Sequence, residues 1–233
     1  MPDAPLTQDP NAAAAAIKRE LRLAAMARRE AIPAAERLSA AQRVAERGLP
    51  GDVAARLSPA IAISGYSPLK SEISPLPLMR RCAEAGAALA LPVVVGRGKP
   101  LVMRAWSFGA PLGSGVWGIR EPTAEAAQVF PDMLIVPMLA FDRSGHRIGY
   151  GAGYYDMTIA LLRAIKPVLA IGIAFAAQEI AAVPATPRDV RLDLVLTERE
   201  AGPMAWNRAG ARRRSVVSGS AVYSTRLKRQ APP

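Results

Sequence analysis

Apolar residues in this chain fall into short runs set between polar stretches rich in glycine and proline. Ala60–Tyr66, Ala87–Val95, Met133–Ala140, Val168–Phe175 and Leu192–Glu198 each carry a nearly continuous apolar stretch, the length and composition of a buried strand. Leu101–Trp106 alternates instead, as a strand with one wet face does. Between these runs the apolar positions recur at helical spacing. One helix is predicted from Ala12 to about Ala31, ended by Pro33, with Ile17, Leu21 and Ala24 as its apolar stripe. A second runs from Pro33 to Arg47, with Gly48 as its stop. Others are expected over Pro75–Gly86, Tyr155–Ala164 and, briefly, Gln178–Val183. Buried strands alternating with helices predict an α/β fold, a three-layer α/β/α sandwich around a mostly parallel sheet.

Composition narrows this picture. The 233 residues are 51% hydrophobic, enough for one substantial core, and no apolar run reaches the roughly eighteen residues that a membrane helix needs. The opening residues are acidic and broken by proline, unlike a secretory signal. Cys82 is the single cysteine, so no internal disulfide can form, and a reducing cytoplasm is the expected location. Net charge is +11, but residues 207–233 hold seven Arg or Lys and no acid, which leaves only +4 for the rest. Residues 1–11 therefore read as a disordered leader, 12–199 as a single domain, and 200–233 as a basic, disordered tail. With Trp206 and Tyr223 as its only aromatics, the tail is not expected to bind nucleic acid. A monomer is the expectation.

One stretch stands apart. After the apolar run at 133–140 come Phe141, Asp142, Arg143 and Ser144, then four glycines in nine residues, Gly145, Gly149, Gly151 and Gly153, then Tyr154, Tyr155 and Asp156 at the head of a helix. Strand, glycine-rich loop and helix start make a phosphate site in open α/β proteins, because bare backbone N–H groups and the helix dipole both favour an anion. The string lacks the Lys-Ser/Thr of a P-loop and the third glycine of a dinucleotide fingerprint. Spacing alone leaves a glycine-kinked turn equally open.

The whole string, F-D-R-S-G-H-R-I-G-Y-G-A-G-Y-Y-D, resembles the hallmark of the 5-formyltetrahydrofolate cyclo-ligases, also called 5,10-methenyltetrahydrofolate synthetases. The resemblance extends over about 12–199, including Lys99, Met103 and Trp106 in one frame and G-V-W-G-I-R-E-P at 115–122 in another. It implies a Rossmann-like fold and an ATP- and Mg²⁺-dependent closure of 5-formyltetrahydrofolate to 5,10-methenyltetrahydrofolate, with ADP and phosphate released.

The resemblance also implies a site. Lys18 and Arg22, one turn apart on the first helix, would contact ATP phosphates together with Arg147, Ile148, Gly149, Tyr150, Gly151, Ala152, Gly153, Tyr154 and Tyr155. On charge pattern alone Lys18 and Arg22 read as a solvated face, the usual place of paired cations on a helix. Glu72, Trp117 and Tyr154 would meet the folate. Without the resemblance, Glu72 reads equally as a helix-cap carboxylate and Trp117 as a packing residue. Asp156 and Asp189 would hold Mg²⁺, with Asp193 a second aspartate in the family frame; Asp156 could otherwise serve the helix start alone. His146 occupies a variable slot and reads as a surface residue. Met157 stands where relatives often carry Arg or Lys. The alternative to turnover is a module of the same fold that binds folate or a phosphate ligand only.

Overall fold

The computed structural model describes residues 10–203. Helices α1 (Pro10–Glu30), α2 (Ala34–Arg47) and the short α3 (Gly51–Ala54) precede strand β1 (Ala62–Ser64). Helix α4 (Leu76–Glu84) leads into β2 (Ala88–Val93) and β3 (Val102–Ala105). A two-stranded ribbon, β4 (Leu112–Ser114) and β5 (Arg120–Pro122), follows. Then come β6 (Met133–Val136), a hairpin of β7 (Ala140–Phe141) and β8 (Arg147–Ile148), α5 (Tyr154–Ile165), β9 (Leu169–Ile173), β10 (Leu194–Leu196) and β11 (Ala201–Pro203).

Seven strands form the central sheet in the order β11-β10-β9-β6-β1-β2-β3. The five inner strands are parallel, and β3 and β11 run antiparallel at the edges. Alternation along each strand divides the core, since neighbouring side chains point to opposite faces. Ile63, Met133, Ile135, Ile171 and Ile173 face α2, α3 and α4, whose Val44, Val53, Leu78 and Met79 close that side. Leu134, Val136, Ala170 and Val195 face the other way, onto Ile159 and Leu162 of α5. The result is the three-layer α/β sandwich expected from the sequence.

Topology locates a crevice. From β1 the chain builds outward through β2 and β3, whereas from β6 it builds the opposite way through β9 and β10. Adjacent parallel strands whose connections diverge leave a gap at their carboxyl ends, the usual ligand site of open α/β sheets. The loops that leave this edge from β1 and β6 carry Glu72 and the glycine-rich stretch.

Three local expectations change. Gln178–Val183 is not a helix: a single 3-10 turn covers Ala176–Gln178, and then Ile180 N–H donates to the Phe141 carbonyl at 2.8 Å, so the backbone pairs beside β7. The hairpin inside the glycine-rich stretch is an addition. Asp142 builds it by accepting the N–H groups of Ser144 (2.8 Å) and His146 (3.1 Å), the habit of aspartate at turns. Finally, Ala201–Pro203 pairs with β10, so the start of the expected tail completes the sheet. Residues 1–9 and 204–233 lie outside the described residues, and with them nearly all of the leader and tail. Among the described residues no helix is long and apolar enough to cross a membrane.

Candidate nucleotide and folate site

Helix α1 supplies the first wall, and of the expected stripe only Leu21 turns inward, against Leu139 and Ile148. Ile17 is 50% exposed and Ala24 also faces solvent. The covered positions are Lys18, Ala25 and Arg29, with Arg22 half-buried between them. Eleven residues make about three helical turns, so Lys18, Arg22 and Arg29 share one stripe. The cations of this stripe are buried on polar partners, beside a small apolar cluster in which Ala25, Leu21 and Met26 meet Leu139 and Ile148.

Each cation has a partner. Lys18 Nζ lies 2.6 Å from Asp189 Oδ2. Arg22 Nε donates to the Gly149 carbonyl at 3.0 Å. Arg29, 1% exposed, donates from Nε to Ser71 Oγ (3.1 Å) and from Nη2 to the Tyr150 hydroxyl (2.6 Å). The helix thus pins the loop after β1, the glycine-rich loop and the segment before β10.

The glycine-rich loop leaves the hairpin at Gly149 and enters α5 at Tyr154. Gly151 has φ +101°, and a Cβ there would sit 3.2 Å from Arg22 Cζ. Only glycine allows both this backbone and so close a guanidinium. Gly153, the residue before α5, is also left-handed (φ 69°) and turns the helix start toward the loop. Gly149 to Gly153 therefore lie between Arg22 and the positive end of a 12-residue helix. Ile148 behaves differently: it is 1% exposed, packed with Ala25 and Leu139, so only its backbone borders the loop.

Arg147 and both predicted metal carboxylates come together. Arg147 Nη2 pairs with Asp156 Oδ1 at 2.8 Å, and the same oxygen accepts the Val190 N–H at 3.0 Å. Burial pulls the Arg147 guanidinium below its ordinary value, and the charge of Asp156 opposes this. Asp189, next to Val190, accepts from Lys18 and from the Thr186 N–H and hydroxyl. Burial pushes Asp189 up, but those hydrogen bonds outweigh it and hold the carboxyl below its usual range. Among the described residues no group of three or more His, Cys, Asp or Glu could hold a metal. Asp156 and Asp189 are each paired with a cation of the protein, Arg147 and Lys18. Asp193 is elsewhere: it binds Arg163 (2.5 Å) in the last turn of α5 and the Ala170 N–H (2.7 Å), a structural tie at the far end of that helix from Asp156.

On the other side of the crevice Glu72 is nearly covered, with its side chain 5% exposed. Its carboxylate accepts the Leu69 N–H of its own loop at 2.8 Å and does not cap α4. Burial pushes its pKa up; the Leu69 N–H and the charge of Arg29 oppose the rise. Lys70, two residues earlier, has φ 51°, so this loop carries local backbone strain of the kind concentrated at functional sites. The Tyr155 hydroxyl is raised by burial and by the charge of Glu72. Tyr150, beside Glu72, is 47% exposed.

Trp117 is not a packing residue. It is 67% exposed, sits at φ 59°, and meets Tyr154 edge-on with ring centroids 6.2 Å apart. His146 is more covered than a surface slot implies: its Nε2 accepts from Arg191 Nε at 3.0 Å, and Asp142 lies 3.8 Å from its Nδ1. Met157 is half-buried on α5. Sequence reasoning missed Arg29 and Ser71. The eleven-residue spacing from Lys18 to Arg29 was the available signal for Arg29, and Ser71 gave none.

Known proteins share this fold and sequence. Residues 14–198 match the 5-formyltetrahydrofolate cyclo-ligase family. A 5-formyltetrahydrofolate cyclo-ligase of Mycolicibacterium smegmatis is 32% identical over 190 residues, 78% of this chain and 94% of that relative. The solved 5,10-methenyltetrahydrofolate synthetase of Aquifex aeolicus superposes with a TM-score of 0.67 at 26% identity, over 89% of this chain and 97% of its own. A 5,10-methenyltetrahydrofolate synthetase from Mycoplasma pneumoniae, 22% identical, shares the fold with a TM-score of 0.59, covering 78% of this chain and 98% of that one. The family match spans both loops of the crevice and the helix that pins them: the chain belongs to the 5-formyltetrahydrofolate cyclo-ligase family.

Proposed function

We propose that this enzyme closes 5-formyltetrahydrofolate to 5,10-methenyltetrahydrofolate at the expense of ATP, with Mg²⁺ bound. The observation that carries the reading is the set of ties around the glycine-rich loop: Arg22 on the Gly149 carbonyl, Lys18 on Asp189, and Arg147 on Asp156 at the loop's exit into α5.

The formyl oxygen on N5 is a poor leaving group. Transfer of the γ-phosphoryl to it, with ADP departing, makes it part of a phosphate ester. N10 then attacks the formyl carbon, the C–O bond breaks, phosphate leaves, and the N10 proton passes to solvent. Phosphoryl transfer asks the protein mainly for position and charge. The loop N–H groups and the start of α5 would cradle the phosphates, and Lys18 and Arg22 would neutralise them. Arg147 would hold Asp156 in place. Mg²⁺, when bound, supplies charge neutralisation across phosphate oxygens, and Asp156 and Asp189 would hold it. Trp117 and Tyr154, one exposed and the other edge-on to it, suit the flat rings of the folate, and Glu72 suits the amino edge of its pterin.

The test follows the absorbance of the methenyl product with 5-formyltetrahydrofolate, ATP and Mg²⁺. The expected result is product formation that stops when either ATP or Mg²⁺ is withheld. Folded protein that forms no product while ATP stays intact would defeat the reading.

A further inference from the structure

Arg29 carries a feature that the established activity leaves unassigned. Its side chain is 1% exposed, yet Nη1 has no hydrogen-bond partner among the described residues. Its Nε and Nη2 are committed to Ser71 and Tyr150. Nη1 faces Glu72 Oε1 at 3.9 Å, too far for a hydrogen bond. A guanidinium–carboxylate pair that served only to staple α1 to the loop would close to about 2.8 Å. This pair is held apart, with buried donors beside a buried acceptor.

The reduced pterin ring offers, along one edge, a 2-amino group, an N3–H and a 4-carbonyl: donor, donor, acceptor. A carboxylate matches the first two, and the third needs an N–H beside it. Glu72 with Arg29 Nη1 presents that complement: acceptor, acceptor, donor. We propose that Arg29 reads the 4-carbonyl of the pterin while Glu72 reads the neighbouring N–H groups, so that the pair selects a 4-oxo ring. The proposal rests on the assignment of Glu72 to the folate. Tyr150 covers the pair: its hydroxyl accepts from Arg29 Nη2 and faces Glu72, which counts Tyr150 among its hydrogen-bonding neighbours. Half-exposed and set between Gly149 and Gly151, it is the neighbour that an entering ring edge would have to displace.

The test compares binding of 5-formyltetrahydrofolate with that of its 4-thioxo analogue, which keeps both donors but offers sulfur, a weak acceptor, at position 4. Calorimetry on the full chain gives the affinity ratio. Wild type is expected to favour the oxo ligand by about ten- to a hundredfold, the range for a hydrogen bond to a charged donor. Arg29→Met should bring the ratio near one, and Arg29→Lys should leave an intermediate value; thermal melts identify which variants fold. A role in packing alone would weaken both ligands equally and keep the ratio. A folded Arg29 variant with the full wild-type ratio overturns the proposal, as does a wild type without preference, which needs no variant. Glu72→Gln separates the two ideas. If it leaves oxo affinity intact, the assignment of Glu72 fails and takes Arg29 with it. If it weakens binding while Arg29 variants keep the ratio, Arg29 alone is wrong.

Discussion

Lys18 and Asp189 tie the first helix to the segment before β10, at 2.6 Å with both side chains largely covered. Losing a charge-assisted hydrogen bond to a phosphate costs about 1.5–3 kcal/mol. Lys18→Ala should therefore raise the ATP concentration needed for half-maximal rate by roughly ten- to a hundredfold, with the fold kept. Unchanged ATP dependence would take Lys18 out of the site. His146 gives a second residue-scale outcome. Burial, then the charge of Arg191, lowers its pKa from the ordinary value, so the folded chain favours the neutral ring. The unfolded chain then binds the proton more readily. Its contribution to stability is fully present above about pH 6.5 and is lost as pH falls through the depressed folded value. His146→Gln keeps an acceptor for Arg191 and removes the titration. Melting temperature should fall less steeply below about pH 6.5 in this variant than in wild type; equal slopes would count against the assignment.

At the scale of elements, α1 and the glycine-rich loop work as one unit. The helix buries a polar stripe, and the loop provides the space that the stripe needs. Gly151→Ala tests this. The backbone at φ +101° suits glycine only, and the added methyl would press on Arg22. Strain of this kind costs about 1–3 kcal/mol. The expected outcome is a lower melting temperature together with weaker ATP, because the Arg22 contact to Gly149 moves with the loop. A variant with wild-type stability and ATP affinity would show that loop and helix are not coupled. The β7–β8 hairpin supports the arrangement from below. Asp142, 3% exposed, accepts from Ser144, His146 and Val183 and is a turn builder rather than a ligand group.

At the scale of the whole molecule, the site spans loops from β1, β6 and β9 and the helix that precedes all of them. A ligand that bridges these parts binds the folded chain and not the unfolded one. At about a hundred times its Kd it adds roughly 2.7 kcal/mol of stability. For a domain of this size that corresponds to a rise of about 5–10 °C in melting temperature. ATP with Mg²⁺ should produce such a shift, and Mg²⁺ alone should produce far less, because Asp156 and Asp189 already pair with cations of the protein. A full shift with Mg²⁺ alone would contradict that pairing.

Much of this architecture was written in the hydrophobic pattern. Runs such as Met133–Val136 are apolar at every position because parallel strands are covered on both faces, and such runs announce a sandwiched sheet without any contact being known. The F-D-x-x-G to Y-Y-D string was equally legible, since its glycines and turn aspartate act through local backbone geometry. Which face of α1 turns inward was decided by tertiary structure. Ile17, Leu21 and Ala24 predict one stripe by hydropathy, and partners distant in sequence, Asp189, the Gly149 carbonyl, Ser71 and Tyr150, turn Lys18, Arg22 and Arg29 inward instead of Ile17 and Ala24. The surroundings of Asp189 and Asp193 were likewise fixed by tertiary structure: both lie five residues or fewer before β10, yet Asp189 pairs with Lys18 of α1 and Asp193 with Arg163 of α5. Local sequence sets the period and the turns, whereas the pairing of charges depends on which distant segments the sheet order brings to the crevice.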